Sequence, residues 1–142
     1  MTLRPRILLI AFVLWTAFVW VNRISNTLRS TTESTGAKTF STVLSAVLLA
    51  LAIGVVVVLV RSWSTGVDAS GGRVLAVAAA VNVLVWLVRV PQILIADHEV
   101  GFKVVHVILG LISVVLAAFV WQIGIAAVRS AGAARSVESD RV

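Results

Sequence analysis

Four long apolar runs alternate with short polar breaks along the chain, and each run is long enough to cross a bilayer. The pattern predicts helices over 7–28, 39–60, 74–96 and 104–128. About 20 apolar residues at the 1.5 Å rise of an α-helix span the hydrocarbon of a membrane. The breaks are of the kind that end helices. Residues 29–38 are rich in Ser and Thr around Glu33 and Gly36, 62–72 holds Ser, Gly and Asp68, and 97–103 is a tight turn. Short hydroxyl and carboxylate side chains compete with helical hydrogen bonding, and glycine loosens the backbone. The fold class predicted is all-α: an integral membrane protein of four transmembrane helices. Residues 1–6 form a basic leader. The run that follows resembles a secretory h-region, but bulky Trp15, Phe18 and Trp20 precede no small-x-small cleavage site, so it reads as an uncleaved span. Small, polar residues of mixed charge from 130 to 142 predict a disordered tail.

A second pattern lies across the first. Shifting the chain by about 66 residues brings Trp20 onto Trp86, Arg23 onto Arg89, Asn26 onto Gln92, Leu28 onto Leu94 and Glu33 onto Glu99. Dropping one residue then aligns Gly36 with Gly101 and Lys38 with Lys103, and continues through Leu44 and Leu109, Leu51 and Leu116, and Ala52 and Ala117. Similarity at a fixed offset is the mark of an internal repeat. The expected organisation is a hairpin repeat over 1–66, a second over 67–129, and the tail. Two spans per repeat give both copies the same orientation, related by an axis along the membrane normal.

Composition agrees with a membrane solvent. Hydrophobic residues make up 60% and charged ones 13%, with a mean hydropathy of +1.07, too apolar for a small soluble domain to cover its surface. The net charge of +6 sits at the ends of the apolar runs, as topological signals do, and not on one aromatic-studded face. Nucleic acid is therefore excluded as the expected partner. Arg4, Arg6, Arg61, Arg73, Arg129, Arg135 and Arg141 gather on one side, whereas Arg29, Lys38 and Lys103 share the other with Glu33, Asp97 and Glu99. The positive-inside rule places both termini in the cytoplasm. No cysteine is present, so disulfides, thiolate metal sites and cysteine nucleophiles are excluded.

Candidate chemistry centres on Arg23 and Arg89, each inside a span, where an arginine costs about 2.5–3.5 kcal/mol on insertion scales. Snorkelling to headgroups or to Glu33, Asp97 and Glu99 accounts for both without a function. The alternative is a polar intramembrane site formed by Arg23, Arg89, Asn26, Gln92 and His106, able to hold a lipid phosphate, a quinone oxygen or a partner's carboxylate. Trp20 and Trp86 lie three residues before the arginines, positioned for packing or for a cation–π contact. Small residues at helical spacing predict close helix packing at Ala46, Ala50 and Gly54, at Ala76 and Ala80, and at Gly110, Ser113 and Ala117. Pro91 removes a donor from the third helix and predicts a kink.

All six acids lie in loops or the tail, so His106 has no carboxylate for a proton relay. Haem ligation needs a second histidine at its depth, which His98 in the turn does not supply. Asp97, His98 and Glu99 read as an exposed acidic turn and not as a metal site. With no phosphate loop, zinc-protease motif, nucleophile elbow or paired carboxylates, no enzyme, metal or cofactor is expected.

The unit Trp-x-x-Arg-x-x-Asn/Gln, followed by a polar turn and a second apolar span, resembles small two-helix integral membrane proteins of actinobacteria, once over 6–63 and again over 73–129. That resemblance implies a bacterial plasma membrane protein and no particular activity. The four-span size is also similar to small multidrug transporters, but those depend on a glutamate in the first helix, which here has no carboxylate. The expected function is a non-enzymatic accessory subunit, packing against membrane lipids, a membrane-protein partner or its own copies. A small transporter or channel for an anionic or lipid-like solute is the alternative, and a quinone- or lipid-binding protein a third.

Overall fold

The helices are set by their ends. Ser34 and Asp68 adopt extended backbone and cap the helices that follow, Ser34 accepting from the Ala37 N–H at 3.3 Å and Asp68 from the Gly71 N–H at 2.7 Å. Such caps satisfy amide groups that have no carbonyl one turn back. The Gly71 bond, with smaller help from the Ser70 hydroxyl and the Arg61 charge, holds the Asp68 carboxyl below its ordinary value of 3.8. Gly66 makes the preceding turn at φ +88°, a conformation that side chains disfavour.

A computed structural model describes residues 3–97 and 99–139. It contains four helices among them, α1 (Leu3–Arg29), α2 (Thr35–Arg61), α3 (Ala69–Ile95) and α4 (Val100–Ser139). All four are long and apolar enough to cross a membrane, and the chain is an all-α, multi-pass integral membrane protein. Helix α1 pairs most extensively with α2, and α3 with α4; contacts of α2 with α3 and α1 with α4 close the ring. One end of the bundle carries the two hairpin turns. The other carries the α2–α3 loop and the terminal ends of α1 and α4, and there Arg6 lies 4.3 Å over the Trp63 ring while donating to the Trp63 carbonyl.

The surface is as apolar as the core, and the core mixes apolar side chains with polar ones. Thr16, Thr27, Ser41, Ser45, Asn82 and Ser113 are buried, while large aliphatic and aromatic side chains cover the outside. Lipid is as apolar as leucine, so burial of apolar area does not drive these helices together; close packing and interhelical hydrogen bonds do. An apolar cluster that includes Leu9, Phe12, Val55, Leu75, Ala117 and Val120 fills the bundle toward the terminal end. The closest approach joins α3 to α4: a Cβ added at Gly72 would meet the Gly124 carbonyl at 2.6 Å, and one at Gly124 would meet the Gly72 carbonyl at 2.6 Å.

Burial repeats along the chain. In α1, Leu9, Phe12, Thr16, Trp20 and Thr27 are buried, and 66 residues on in α3 so are Leu75, Ala78, Asn82, Trp86 and Ile93. In α2, Ser45, Leu48, Ala52 and Val55 are buried, and 65 residues on in α4 so are Gly110, Ser113, Ala117 and Val120.

Three expectations are corrected. Residues 130–139 are helical and not a disordered tail, because Ala126, Ala127, Ala131, Ala133 and Ala134 are strong helix formers; residues 140–142 lie outside the described residues. Helix α2 starts four residues earlier than its apolar run, since the cap at Ser34 lets the polar stretch 35–38 form its first turn. The ridge of Ala46, Ala50 and Gly54 divides: a Cβ added at Gly54 would lie 3.4 Å from Val74, but Ala46 and Ala50 are exposed. The buried face of α2 runs through Ser45 and Leu48, so positions 46 and 50 turn away from it. Gly110, Ser113 and Ala117 are buried and Ala76 and Ala80 half-buried. Helix α3 continues unbroken through Pro91.

Candidate anion-binding cavity at the hairpin end

Arg23 and Arg89 both lie six residues before the last residue of their helices, near the turns that lead to α2 and α4. Their surroundings differ. Arg23 donates from Nε to the Ser41 hydroxyl at 2.8 Å and from Nη2 to the Glu33 carboxylate at 3.4 Å. Ser41 is held in turn, its hydroxyl 3.3 Å from that of Thr27 and its carbonyl accepting from Ser45 at 2.7 Å. Glu33 is placed by its own turn, where the Ser30 hydroxyl accepts its N–H at 3.2 Å and the Lys38 ammonium caps the Ser30 carbonyl. One arginine is thus neutralised by a loop carboxylate and locked to α2. Arg89 is half-buried and makes no hydrogen bond or ion pair among the described residues.

Between α1, α3 and α4 lies a cavity of about 420 Å³. Arg23, Asn26, Arg89 and His106 all line it, with Trp20 and Trp86. The two indoles meet across the bundle with ring centroids 6.3 Å apart and planes tilted by 54°. They are 4% and 5% exposed, and neither indole N–H has a partner among the described residues. Gly110 sets that arrangement, since a Cβ there would fall 2.7 Å from the Trp86 ring and 2.8 Å from Val90. Next along α1 and α3 toward the terminal end come Thr16 and Asn82, both 2% exposed, whose Oγ1 and Oδ1 also lack partners among the described residues.

His106 lies in the second turn of α4, deeper than the apolar run implied, because the helix begins at Val100. Its Nδ1 is 2.8 Å from the Phe102 carbonyl, and the two rings are 3.9 Å apart at their centroids. A carbonyl only accepts, so Nδ1 carries the proton and Nε2 is the nitrogen left for another partner.

No protein-family model, no curated protein and no solved structure matches the chain.

Four of the five residues read from sequence as a polar intramembrane site line this cavity. The fifth, Gln92, is exposed and does not. Ser113 is engaged elsewhere, accepting from the Trp15 indole at 2.8 Å and donating to the Leu109 carbonyl at 2.8 Å. Of the acidic turn, Asp97 and Glu99 are exposed and His98 lies outside the described residues. Sequence reasoning missed Ser41, Thr16 and Asn82. The offset of 66 pairs Thr16 with Asn82, polar with polar inside apolar runs, and that was a usable signal. Chemically the cavity offers a guanidinium and a carboxamide as donors above an aromatic floor, with the His106 Nε2 as an acceptor beside them.

Proposed function

We propose that the chain is a small non-enzymatic membrane protein that binds an anionic ligand in the cavity between α1, α3 and α4. The observation that carries this is the unpaired guanidinium of Arg89, in a cavity shared with Arg23, Asn26 and His106. An intramembrane cation without a partner is costly to keep, and Arg23 illustrates how the same fold neutralises one when a carboxylate is used. Binding is favoured over transport because the cavity walls stop at Trp20, Trp86 and Leu109, and one layer further, past Thr16 and Asn82, the apolar cluster closes the bundle. The test is thermal stabilisation of the purified protein by added anionic amphiphiles, which follows occupancy. Wild type is expected to gain stability with an anionic but not with a neutral amphiphile, and Arg89→Leu to lose that gain. Equal stabilisation of Arg89→Leu overturns the proposal.

A second reading, an accessory subunit of a membrane complex, is favoured by Ala46 and Ala50, which leave a shallow strip on the exposed side of α2. Gentle extraction followed by mass spectrometry tests it: a stoichiometric partner lost in Ala46→Leu/Ala50→Leu supports the subunit reading, and recovery alone counts against it.

The hairpins are proposed to be duplicated copies, which the common offset of their buried positions supports. We further propose a bacterial plasma membrane with both termini cytoplasmic, which the concentration of arginine at the terminal end supports. Because the chain has no cysteine, single cysteines at Thr32 and Ser64 can be labelled with an impermeant thiol reagent. Labelling of Thr32→Cys from outside, and not of Ser64→Cys, is the expected result; the reverse pattern overturns the orientation.

A further inference from the structure

We propose that the ligand of this cavity is the phosphate headgroup of an anionic membrane lipid, entering sideways between α1 and α4; the inference rests on the anion-binding reading above. It begins from the unequal fate of two equivalent arginines. Arg23 has Ser41 and Glu33 as partners. At the offsets that align the buried faces, the positions equivalent to these two are His106 and Glu99. Glu99 is exposed and makes no ion pair among the described residues. His106 faces the cavity with one nitrogen already committed to the Phe102 carbonyl. The second copy therefore keeps the arginine, loses its carboxylate partner and carries, where Ser41 stands in the first, an imidazole already held by the Phe102 carbonyl, so the guanidinium is left without a partner among the described residues. That converts an internal salt bridge into a site for an external anion.

Depth selects the anion. Arg89 lies six residues from the end of a 27-residue helix, about 9 Å below its tip at 1.5 Å per residue. A helix of that length, about 40 Å, matches a bilayer with its headgroups, whose hydrocarbon is about 30 Å thick. The Arg89 Cα then lies just inside the hydrocarbon boundary, with a side chain long enough to reach the phosphate layer.

The walls select an amphiphile. On the α1 and α4 sides the cavity is bounded by Phe18 and Val105, which are 57% and 53% exposed, with Val19 and Leu109 alongside. A mouth of exposed apolar side chains on the bundle's flank faces lipid, so acyl chains can leave through it while the phosphate stays on Arg89. A volume of about 420 Å³ accommodates a headgroup and the first part of a chain, not a whole lipid. A soluble phosphate ester shares the headgroup's chemistry, but has no use for this flank.

The full-length protein in detergent is titrated with phosphatidylglycerol, with phosphatidylcholine of the same chains, and with glycerol 3-phosphate, and binding is read by native mass spectrometry. Phosphatidylglycerol is expected to bind wild type about tenfold or more tighter than the zwitterionic lipid, and Arg89→Leu to weaken it by about ten- to hundredfold, the range for hydrogen bonds to a charged group. Val105→Trp, which fills the mouth and leaves every charge in place, is expected to weaken lipid binding similarly; unchanged helix content in both variants excludes misfolding. If glycerol 3-phosphate binds as tightly as the lipid and Val105→Trp changes nothing, anion binding stands and the lipid assignment falls. If phosphatidylglycerol binds wild type and Arg89→Leu equally, the lipid is merely annular and the assignment is overturned. If neither anion binds, both proposals fall.

Discussion

A methyl group at Gly124 should separate the two most closely packed helices, and its cost follows from the geometry. The added Cβ would sit 2.6 Å from the Gly72 carbonyl and 3.0 Å from the Ala76 amide nitrogen. Both are backbone atoms of α3 and have no rotamer in which to move aside. Ordinary contact begins near 3.4 Å, so α3 and α4 must part by about 0.8 Å (3.4 − 2.6) along that line. Overpacking of this kind costs about 1–3 kcal/mol, against which alanine's helix propensity returns up to about 1 kcal/mol. Gly132 supplies the internal control: it lies in the same helix, and a Cβ there meets nothing within 4 Å, so Gly132→Ala keeps the propensity gain alone. Gly124→Ala should therefore be less stable than Gly132→Ala by about 1–3 kcal/mol, measured as the difference in reversible unfolding or in Tm in one detergent. The Gly72→Ala/Gly124→Ala double variant should lose less than the sum of the singles, because one separation makes room for both methyls. Equal stability of Gly124→Ala and Gly132→Ala refutes the close approach.

Other perturbations separate the remaining claims. Ser41→Ala removes the acceptor of the Arg23 Nε bond from a site 6% exposed and should destabilise by about 1.5–3 kcal/mol. Glu33→Gln alters a pair whose side chains are 29% and 28% exposed and should cost under about 1 kcal/mol; a reversed order in unfolding experiments contradicts the arrangement. Asn82→Leu and Thr16→Val replace buried groups that lack partners, and each should leave Tm unchanged or raise it; a fall of several degrees refutes that expectation. Asp68 has its folded pKa held below 3.8, so its stabilising contribution is complete above pH 3.8 and is lost as pH falls through the lower folded value. A Tm–pH series should show this acid-side loss in wild type and not in Asp68→Ala.

The four spans were legible because lipid imposes a long apolar run on each crossing helix, and no polar loop of this chain imitates one. Helix ends were less legible. A cap is decided by one side chain accepting one backbone N–H, so Ser34 and Asp68 extended helices into stretches whose composition reads as loop. The tail misled for a related reason: its alanines, read as merely small residues, are the strongest helix formers. In the site, Arg23, Asn26, Arg89 and His106 were recognisable as polar groups inside apolar runs. Nothing in the sequence distinguished Gln92 from Asn26, because which side of a helix end faces a cavity depends on how neighbouring helices cross. The same holds for Ala46 and Ala50, whose spacing predicts packing but cannot say against what. Nor does spacing reveal that Glu33 folds back to its arginine whereas Glu99 does not.

The polar interior ends where a binding site would end and a pathway would not. From the hairpin end inward, α1 and α3 present Arg23 and Arg89, then Trp20 and Trp86, then Thr16 and Asn82, layer upon layer about one turn apart. One turn further the same helices present Phe12 and Ala78, and then Leu9 and Leu75, inside an apolar cluster closed by Val55 and Val120. A solute crossing the bundle needs polar groups on both sides of the midplane, and toward the terminal end this cluster offers none. Apolar residues of matching shape would pack the upper layers equally well and avoid unpartnered donors and acceptors. Stability alone therefore does not account for polar groups at Thr16 and Asn82, or for an arginine without a carboxylate at position 89. The proposed anion accounts for the arginine alone; Thr16 and Asn82 lie one turn beyond the cavity's lining, behind Trp20 and Trp86, and nothing in the structure explains their polarity.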